Sequence, residues 1–314
     1  IYILLKMKKS IVFPGQGSQY LGMGKHLYDN FSVSKLIFDE VDDALNIKLT
    51  EIIFGEDAEK LNLTENTQPA IMAVSIATME ALKKEKGLNI NNFSFCAGHS
   101  LGEYSALVAA NSIKLADAAK ILKKRGQAMQ NAVPIGLGAM AAILNIQVED
   151  LEKFITANKF LSIEVSNDNC PGQCVVSGKK DEINKLTILI KNELKKKAIP
   201  LPVSAPFHCK MMTPAADELN NFLKQFEINN PEIPIVSNVS VIPENDSNEI
   251  KKLLISCVHN RVRWREIVEF FYNNNIIECI ECGPGKALTN MFKRFEFEIK
   301  CVKIDNIDDL KNYG

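Results

Sequence analysis

The stretch Phe93-Ser-Phe-Cys-Ala-Gly-His-Ser-Leu-Gly-Glu-Tyr-Ser-Ala-Leu leaves a chain few ways to fold. Phe93–Ala97 is a short apolar run of the kind buried inside a sheet. Glu103 to Ala110 reads as a helix. Only Gly98-His-Ser-Leu-Gly102 separates the two. A strand that becomes a helix through so short a turn must bend sharply. Glycines suit both sides of the bend, because a Cβ there would press on nearby backbone. Two readings of the turn compete. Ser100 and Glu103 form S-x-x-E, a helix capping box. Gly98, Ser100 and Gly102 form G-x-S-x-G, the elbow that exposes a nucleophilic serine, and strand before with helix after is the context it requires. A capping box needs neither glycine, so the elbow is favoured. Ser100 is also expected to begin the helix, with Glu103 a helix-start charge rather than a catalytic acid.

Around this unit the pattern alternates. Ser10-Ile-Val-Phe is an apolar strand ending in Pro14-Gly-Gln-Gly-Ser-Gln. Helices are predicted over 29–46, from Gln68 to Leu82 with Pro69 in the first turn, and over 117–131. Alternating strands and helices imply an α/β fold with a mainly parallel sheet. The middle differs. A strand over 139–144, a helix over 147–158, strands over 162–165 and 173–177 around the turn Asn169-Cys-Pro-Gly, a helix over 181–196 and a strand over 198–203 give the order βαββαβ, the ferredoxin-like unit. The remainder returns to α/β, with a strand over 276–281 before Cys282-Gly-Pro-Gly. The predicted organisation is a discontinuous large domain, 7–134 and 204–314, interrupted by a small one at 135–203.

Composition excludes several classes. The 314 residues carry a net charge of −1, so no basic field suggests nucleic acid. No apolar run approaches the ~18–20 residues that span a bilayer. Ile1-Tyr-Ile-Leu-Leu-Lys6 is short and lacks a small-residue cleavage site, so it does not read as a signal peptide. Met7 reads as a natural start, with residues 1–6 read as either an upstream extension or a start-site error. The eight cysteines are then expected as free thiols in a reducing cytoplasm. Cys279-x-x-Cys282 has no second Cys or His pair beside it, so no metal is expected.

A serine nucleophile needs a base. Of the four histidines, His99 adjoins Ser100 but should point away along the turn, and His26 and His259 sit in polar surroundings. His208 lies in Pro202-Val-Ser-Ala-Pro-Phe-His-Cys, a loop stiffened by two prolines. Arg125 falls on the apolar face of its helix with Leu115, Ala118, Ile121, Leu122 and Met129. A guanidinium there must meet an anion, either a structural acid or a substrate carboxylate. The glycine-rich turn at 14–19 fits neither phosphate-binding pattern, since Met23 stands where a Walker lysine would. It can instead present a backbone N–H to an oxyanion. Asn167, Asn169, Gly283 and Gly285 read as turn residues.

Together these segments resemble one family, the malonyl-CoA:acyl carrier protein transacylases of bacterial type II fatty acid synthesis. The matching motifs are PGQGSQ (14–19), TQPA (67–70), AGHSLGEYSALVAA (97–110), KRGQAMQ (124–130), GAMAAI (138–143), NCPGQ (169–173), PLPVSAPFHC (200–209) and CGPGKAL (282–288). The resemblance implies an α/β-hydrolase-like large domain with an inserted ferredoxin-like subdomain. It implies Ser100 as acyl-accepting nucleophile, His208 as base, Arg125 as ligand of the malonyl carboxylate, and the N–H groups of Gln16 and Leu101 as oxyanion hole. Phe207 matches the malonyl version of its motif. The implied partners are malonyl-CoA and acyl carrier protein, with no cofactor, and the chain is expected as a monomer. Where family members often have Gln-Leu-Tyr-Asn-Pro-Val-Gln-Trp, this chain has Cys257-Val-His-Asn-Arg-Val-Arg-Trp. A main-chain carbonyl at Cys257 would then support His208, and Arg261 replaces a proline. Acyl carrier proteins are acidic, and Lys195–Lys197 or Arg261, Arg263 and Arg265 are candidate docking groups. A thioesterase-type hydrolase and a non-catalytic carrier-binding module are the alternatives.

Overall fold

The computed structural model describes residues 8–203 and 205–314. Residues 1–7, with the expected extension and start, lie outside the described residues, as does Ser204 at the expected domain boundary. Ten strands form two sheets: β1 (Lys8–Phe13), β2 (Phe95–Gly98), β3 (Gly138–Leu144), β4 (Glu164–Cys170), β5 (Gln173–Lys179), β6 (Lys197–Pro200), β7 (Ile235–Val236), β8 (Pro243–Glu244), β9 (Ile276–Cys282) and β10 (Lys300–Ile304).

The larger sheet has the order β10-β9-β1-β2-β7-β8 and is parallel except for β8, which pairs antiparallel with β7. The α/β fold with a parallel sheet is as the alternation predicts. β1 and β2 lie at its centre, where both faces are covered by helices, so Ile11, Val12, Phe13, Cys96 and Ala97 are all 0% exposed. The smaller sheet, β4-β5-β3-β6, is wholly antiparallel. Its helices, Val148–Ala157 and Lys180–Glu193, pack Leu151, Ile155, Leu186 and Ile190 into a separate apolar cluster with Ile143 and Val176.

Several elements depart from expectation: the strand placed over 198–203 is Lys197–Pro200, the helix placed over 181–196 is Lys180–Glu193, and three others differ more. The helix placed over 29–46 is two helices, Lys25–Asn30 and Ser32–Leu45, broken where Phe31 is extended. The helix placed at Gln68 begins at Thr64, so Pro69 lies inside it. Tertiary bonds hold that earlier start, with Thr67 Oγ1 donating to Leu61 O at 2.6 Å and Asn66 Nδ2 to Lys60 O at 2.8 Å. β4 runs on to Cys170, which shrinks the following turn to Pro171-Gly172, with Gly172 at φ 77°.

The sheets meet at a seam. Asn167 of β4 bridges Val262, Asp168 N–H donates to Val262 O at 2.9 Å, and Val262 N–H donates to Ser166 O at 2.9 Å. The loop that follows the Ser247–His259 helix is therefore paired to the smaller sheet, and a pocket lies between the sheets on the same side.

Candidate active site

The pocket opens at the carboxyl ends of β1 and β2, the usual place for a ligand in a parallel sheet. Its volume is about 280 Å³, with Gln16 and Ser100 from the large sheet facing Met140, Ala142 and Val175 from the small one.

Ser100 follows β2 directly and has φ 52°, the left-handed conformation of a nucleophile elbow. The flanking glycines are sterically required. A Cβ on Gly98 would collide with the Gly102 backbone, and one on Gly102 with the Phe13 carbonyl oxygen. The capping expectation is not met. The helix runs Gly102–Ala109, its cap residue is Leu101, and no side chain caps it. Ser100 Oγ turns into the pocket instead. Glu103 lies in the first turn as expected, but it is 2% exposed and receives Asn238 Nδ2 at 2.6 Å rather than facing solvent.

His208 Nε2 lies 2.8 Å from Ser100 Oγ. His208 Nδ1 lies 2.6 Å from the Cys257 carbonyl oxygen. A carbonyl can only accept, so Nδ1 carries the proton and Nε2 presents its lone pair to the serine hydroxyl. Burial, and next the Arg125 charge, push the His208 pKa down from 6.5 to about 3, so the ring is neutral at pH 7. His208 too is left-handed, at φ 57°, between the prolyl loop and a 3₁₀ turn at Lys210–Met212.

Arg125 is 1% exposed on the Leu115–Asn131 helix. Nη1 donates to Gln68 Oε1 at 2.8 Å and Nη2 to Ser100 Oγ at 3.1 Å. The guanidinium lies 5.7 Å from the Tyr104 ring centroid. Among the described residues no carboxylate reaches ion-pair distance of it, and Nε has no hydrogen-bond partner. A buried cation with neutral partners only is unsatisfied until an anion joins it.

The remaining expected residues are also here. Gln16 and Leu101 line the pocket, and neither backbone N–H is taken by a turn or loop hydrogen bond among the described residues. Phe207 lines the wall, with its carbonyl held by Ser177 Oγ at 2.7 Å. Among the described residues no group of His, Cys, Asp and Glu could hold a metal.

Other expectations fail. His99 does not point away: its Nε2 lies 2.9 Å from Asn169 Oδ1 on the pocket wall, and its ring packs against Trp264 at 5.7 Å. Asn167 and Asn169 are strand residues that line the pocket rather than turn residues. Arg261, Arg263 and Arg265 are not a free basic patch, since they pair with Glu152, Glu266 and Asp168 respectively. Sequence reading misses two groups. Gln68 is legible as a polar residue within an apolar helix. Asn238, whose Oδ1 accepts the Ser100 N–H at 2.9 Å, sits 138 residues from its partner and carries no local signal.

Comparison with known proteins agrees with this geometry. Residues 11–286 match the acyl transferase domain family. The malonyl CoA-acyl carrier protein transacylase of Bacillus subtilis is 41% identical over 307 residues, covering 97% of this chain and 95% of that one. The acyl-carrier-protein S-malonyltransferase structure from Bartonella henselae superposes with a TM-score of 0.93 at 42% identity, covering 97% and 98% of the two chains. A solved complex of a type II PKS acyl-carrier protein with its malonyl-transacylase superposes at 0.92 and 37% identity, covering 97% and 98%. A serine held by histidine and arginine in an elbow, in a chain matched over nearly its full length, has one conclusion: the chain belongs to the malonyl CoA-acyl carrier protein transacylase family of acyltransferases.

Proposed function

We propose that this protein transfers malonyl groups from malonyl-CoA to the phosphopantetheine thiol of acyl carrier protein, through a malonyl ester on Ser100. The observation that carries the reading is the convergence of His208 and a carboxylate-free Arg125 on one serine oxygen. The malonyl carboxylate takes the guanidinium N–H groups and displaces the Ser100 contact. His208 Nε2 then accepts the hydroxyl proton as Oγ attacks the thioester carbonyl. The oxyanion faces the N–H groups of Gln16 and Leu101, where one such donor is worth on the order of 3–4 kcal/mol in kcat. The tetrahedral intermediate collapses, the C–S bond breaks, and CoA thiolate leaves with the proton from His208. In the second half the carrier thiol gives its proton to His208 and attacks the ester, and Ser100 Oγ recovers a proton.

The Cys257 carbonyl orients His208 without a formal charge, so the pair works without a triad acid. Pairing Arg125 with the substrate carboxylate also removes one cause of the low His208 basicity. Carboxylate recognition and base strength are thereby coupled, and acetyl-CoA supplies neither. In this reading the protein acts as a monomer, since one chain supplies every group named, in a reducing cytoplasm that suits its eight free cysteines, and provides chain-extender units for fatty acid synthesis. The domains are 7–134 with 204–314, an α/β-hydrolase-like core, and 135–203, a ferredoxin-like insert. The βαββαβ order and the sheet order β4-β5-β3-β6 support the latter.

Intact-protein mass spectrometry after brief mixing with malonyl-CoA tests the reading. A malonyl adduct on the wild type, absent in Ser100→Ala and passed on to added acyl carrier protein, is the expected result. No adduct, or an adduct lost to water faster than to the carrier, would overturn it.

A further inference from the structure

Beneath the elbow lies a buried polar cluster that the transfer chemistry does not use. Asn238, just after β7, is 0% exposed, and Glu103 in the first turn of the following helix is 2% exposed. One amide spans the whole bend. Asn238 Oδ1 accepts the Ser100 N–H at 2.9 Å, and Nδ2 donates to Gly98 O at 2.7 Å and Glu103 Oε2 at 2.6 Å. The Asn238 backbone N–H also reaches Glu103 Oε2, at 3.4 Å, and its carbonyl accepts the Arg263 N–H at 3.0 Å.

The chemistry of this arrangement is specific. A left-handed Ser100 turns its N–H away from the pocket, where it needs an acceptor, while the Gly98 carbonyl needs a donor. A carboxamide offers both on one planar group and keeps a second N–H for Glu103. Glu103 Oε2 already accepts the Asn238 backbone N–H, so it is an acceptor and fixes which end of the amide faces it. With Nδ2 turned to Glu103, Oδ1 is left for Ser100.

We propose that Asn238 and Glu103 are positioning residues for the nucleophile, a clamp that fixes the peptides on both sides of His99. Fixing them sets the Ser100 side chain against His208 and turns the next N–H, that of Leu101, into the pocket. Neither residue touches substrate, so the clamp affects the chemical step rather than carboxylate binding. The proposal rests on Ser100 being the acyl acceptor.

The test is the single-turnover rate of Ser100 acylation by malonyl-CoA, read by rapid quench and mass spectrometry, with half-saturation and melting temperature measured alongside. Asn238→Ala should acylate about 10- to 100-fold more slowly, the scale of a small misplacement of reacting groups, with half-saturation changed by less than about threefold. Asn238→Asp keeps an acceptor for the Ser100 N–H but sets two carboxylates face to face, so it should also be slow. Adding Glu103→Gln to Asn238→Asp restores a donor–acceptor pair and should recover roughly tenfold. A folded Asn238→Ala that acylates at the wild-type rate overturns the clamp, as does half-saturation rising in step with the lost rate. If Asn238→Ala does not fold, the Asn238→Asp background decides: no gain there from adding Glu103→Gln overturns the clamp. Absence of any adduct on the wild type would instead remove the acyl-serine reading itself.

Discussion

Two regions of this molecule bury arginine side chains, one in the pocket and three at the seam, and they treat them in opposite ways. On the pocket floor, Arg125 is buried with neutral partners. At the outer seam, beside a wider cleft of about 560 Å³, Arg261, Arg263 and Arg265 are half-buried and each has an acid. Arg265 alone meets Asp168, Glu149 and Glu269. A cation that the fold has already neutralised holds the fold together. A cation that the fold leaves unneutralised is free to meet a ligand. The larger cavity is therefore not the better site, because its charges are spent internally.

Arg125→Ala should do the most damage to activity. Losing one side of a buried pair costs about 3–5 kcal/mol, which is roughly 10²- to 10⁴-fold in kcat/KM for malonyl-CoA. Activity toward acetyl-CoA should rise relative to malonyl-CoA, and urea unfolding should shift by less than about 1 kcal/mol, since the lost packing is offset by removal of an unpaired charge. If stability falls instead and discrimination is kept, the contrast between floor and seam fails.

Arg265→Ala should show the reverse signature. Asp168, with 1% side-chain exposure, would lose its main partner. Urea denaturation should then report a loss of about 3 kcal/mol, with malonyl transfer per folded molecule nearly unchanged.

Acid should act at the pocket rather than at the seam. His208 is depressed from 6.5 to about 3, first by burial and then by Arg125. The unfolded chain thus binds that proton more readily, so the stability linked to His208 is full above pH 6.5 and lost as pH falls toward 3. Glu103 runs the other way. Burial raises it from 4.5 to about 7, so its contribution is full below pH 4.5 and lost as pH rises through 7. Urea titrations of Glu103→Gln should therefore lack the decline that the wild type shows between those values. A wild-type curve that the substitution leaves unchanged would refute this assignment.

The smallest effect should come from Arg261→Ala. The Arg261–Glu152 pair is 28% and 48% exposed, and such surface pairs are worth about 0–1 kcal/mol and weaken in salt. A larger loss would mean that the seam depends on this residue.

What is legible in the sequence divides by the distance over which a constraint acts. The elbow is legible because its cause is local: Gly98 and Gly102 touch within the same bend. Arg125 is legible because a helix repeats on a short period, which exposes a charge on the wrong face. The role of Glu103 is hidden because its partner, Asn238, arrives from across the sheet. His99 is hidden for the same reason, since Asn169 belongs to the other sheet. Arg261 and Arg265 look free because the acids Glu152 and Asp168 lie about a hundred residues earlier in the chain, whereas Glu266, three residues beyond Arg263, is a local partner that the sequence does show. The break at Phe31 and the early start at Thr64 are tertiary decisions that no short window contains.

The position of β1 has a consequence during synthesis. β1 lies between β2 and β9, and 262 residues separate Phe13 from Ile276. At ~5–20 residues per second on the ribosome, one side of that strand stays open for roughly 13 to 50 seconds after it emerges. During that time its unpaired backbone edge and the apolar run Ile11-Val12-Phe13 are exposed to neighbouring nascent chains. The first of the described strands is among the last to be enclosed, and the molecule is most vulnerable to aggregation before the segment that holds β9 exists.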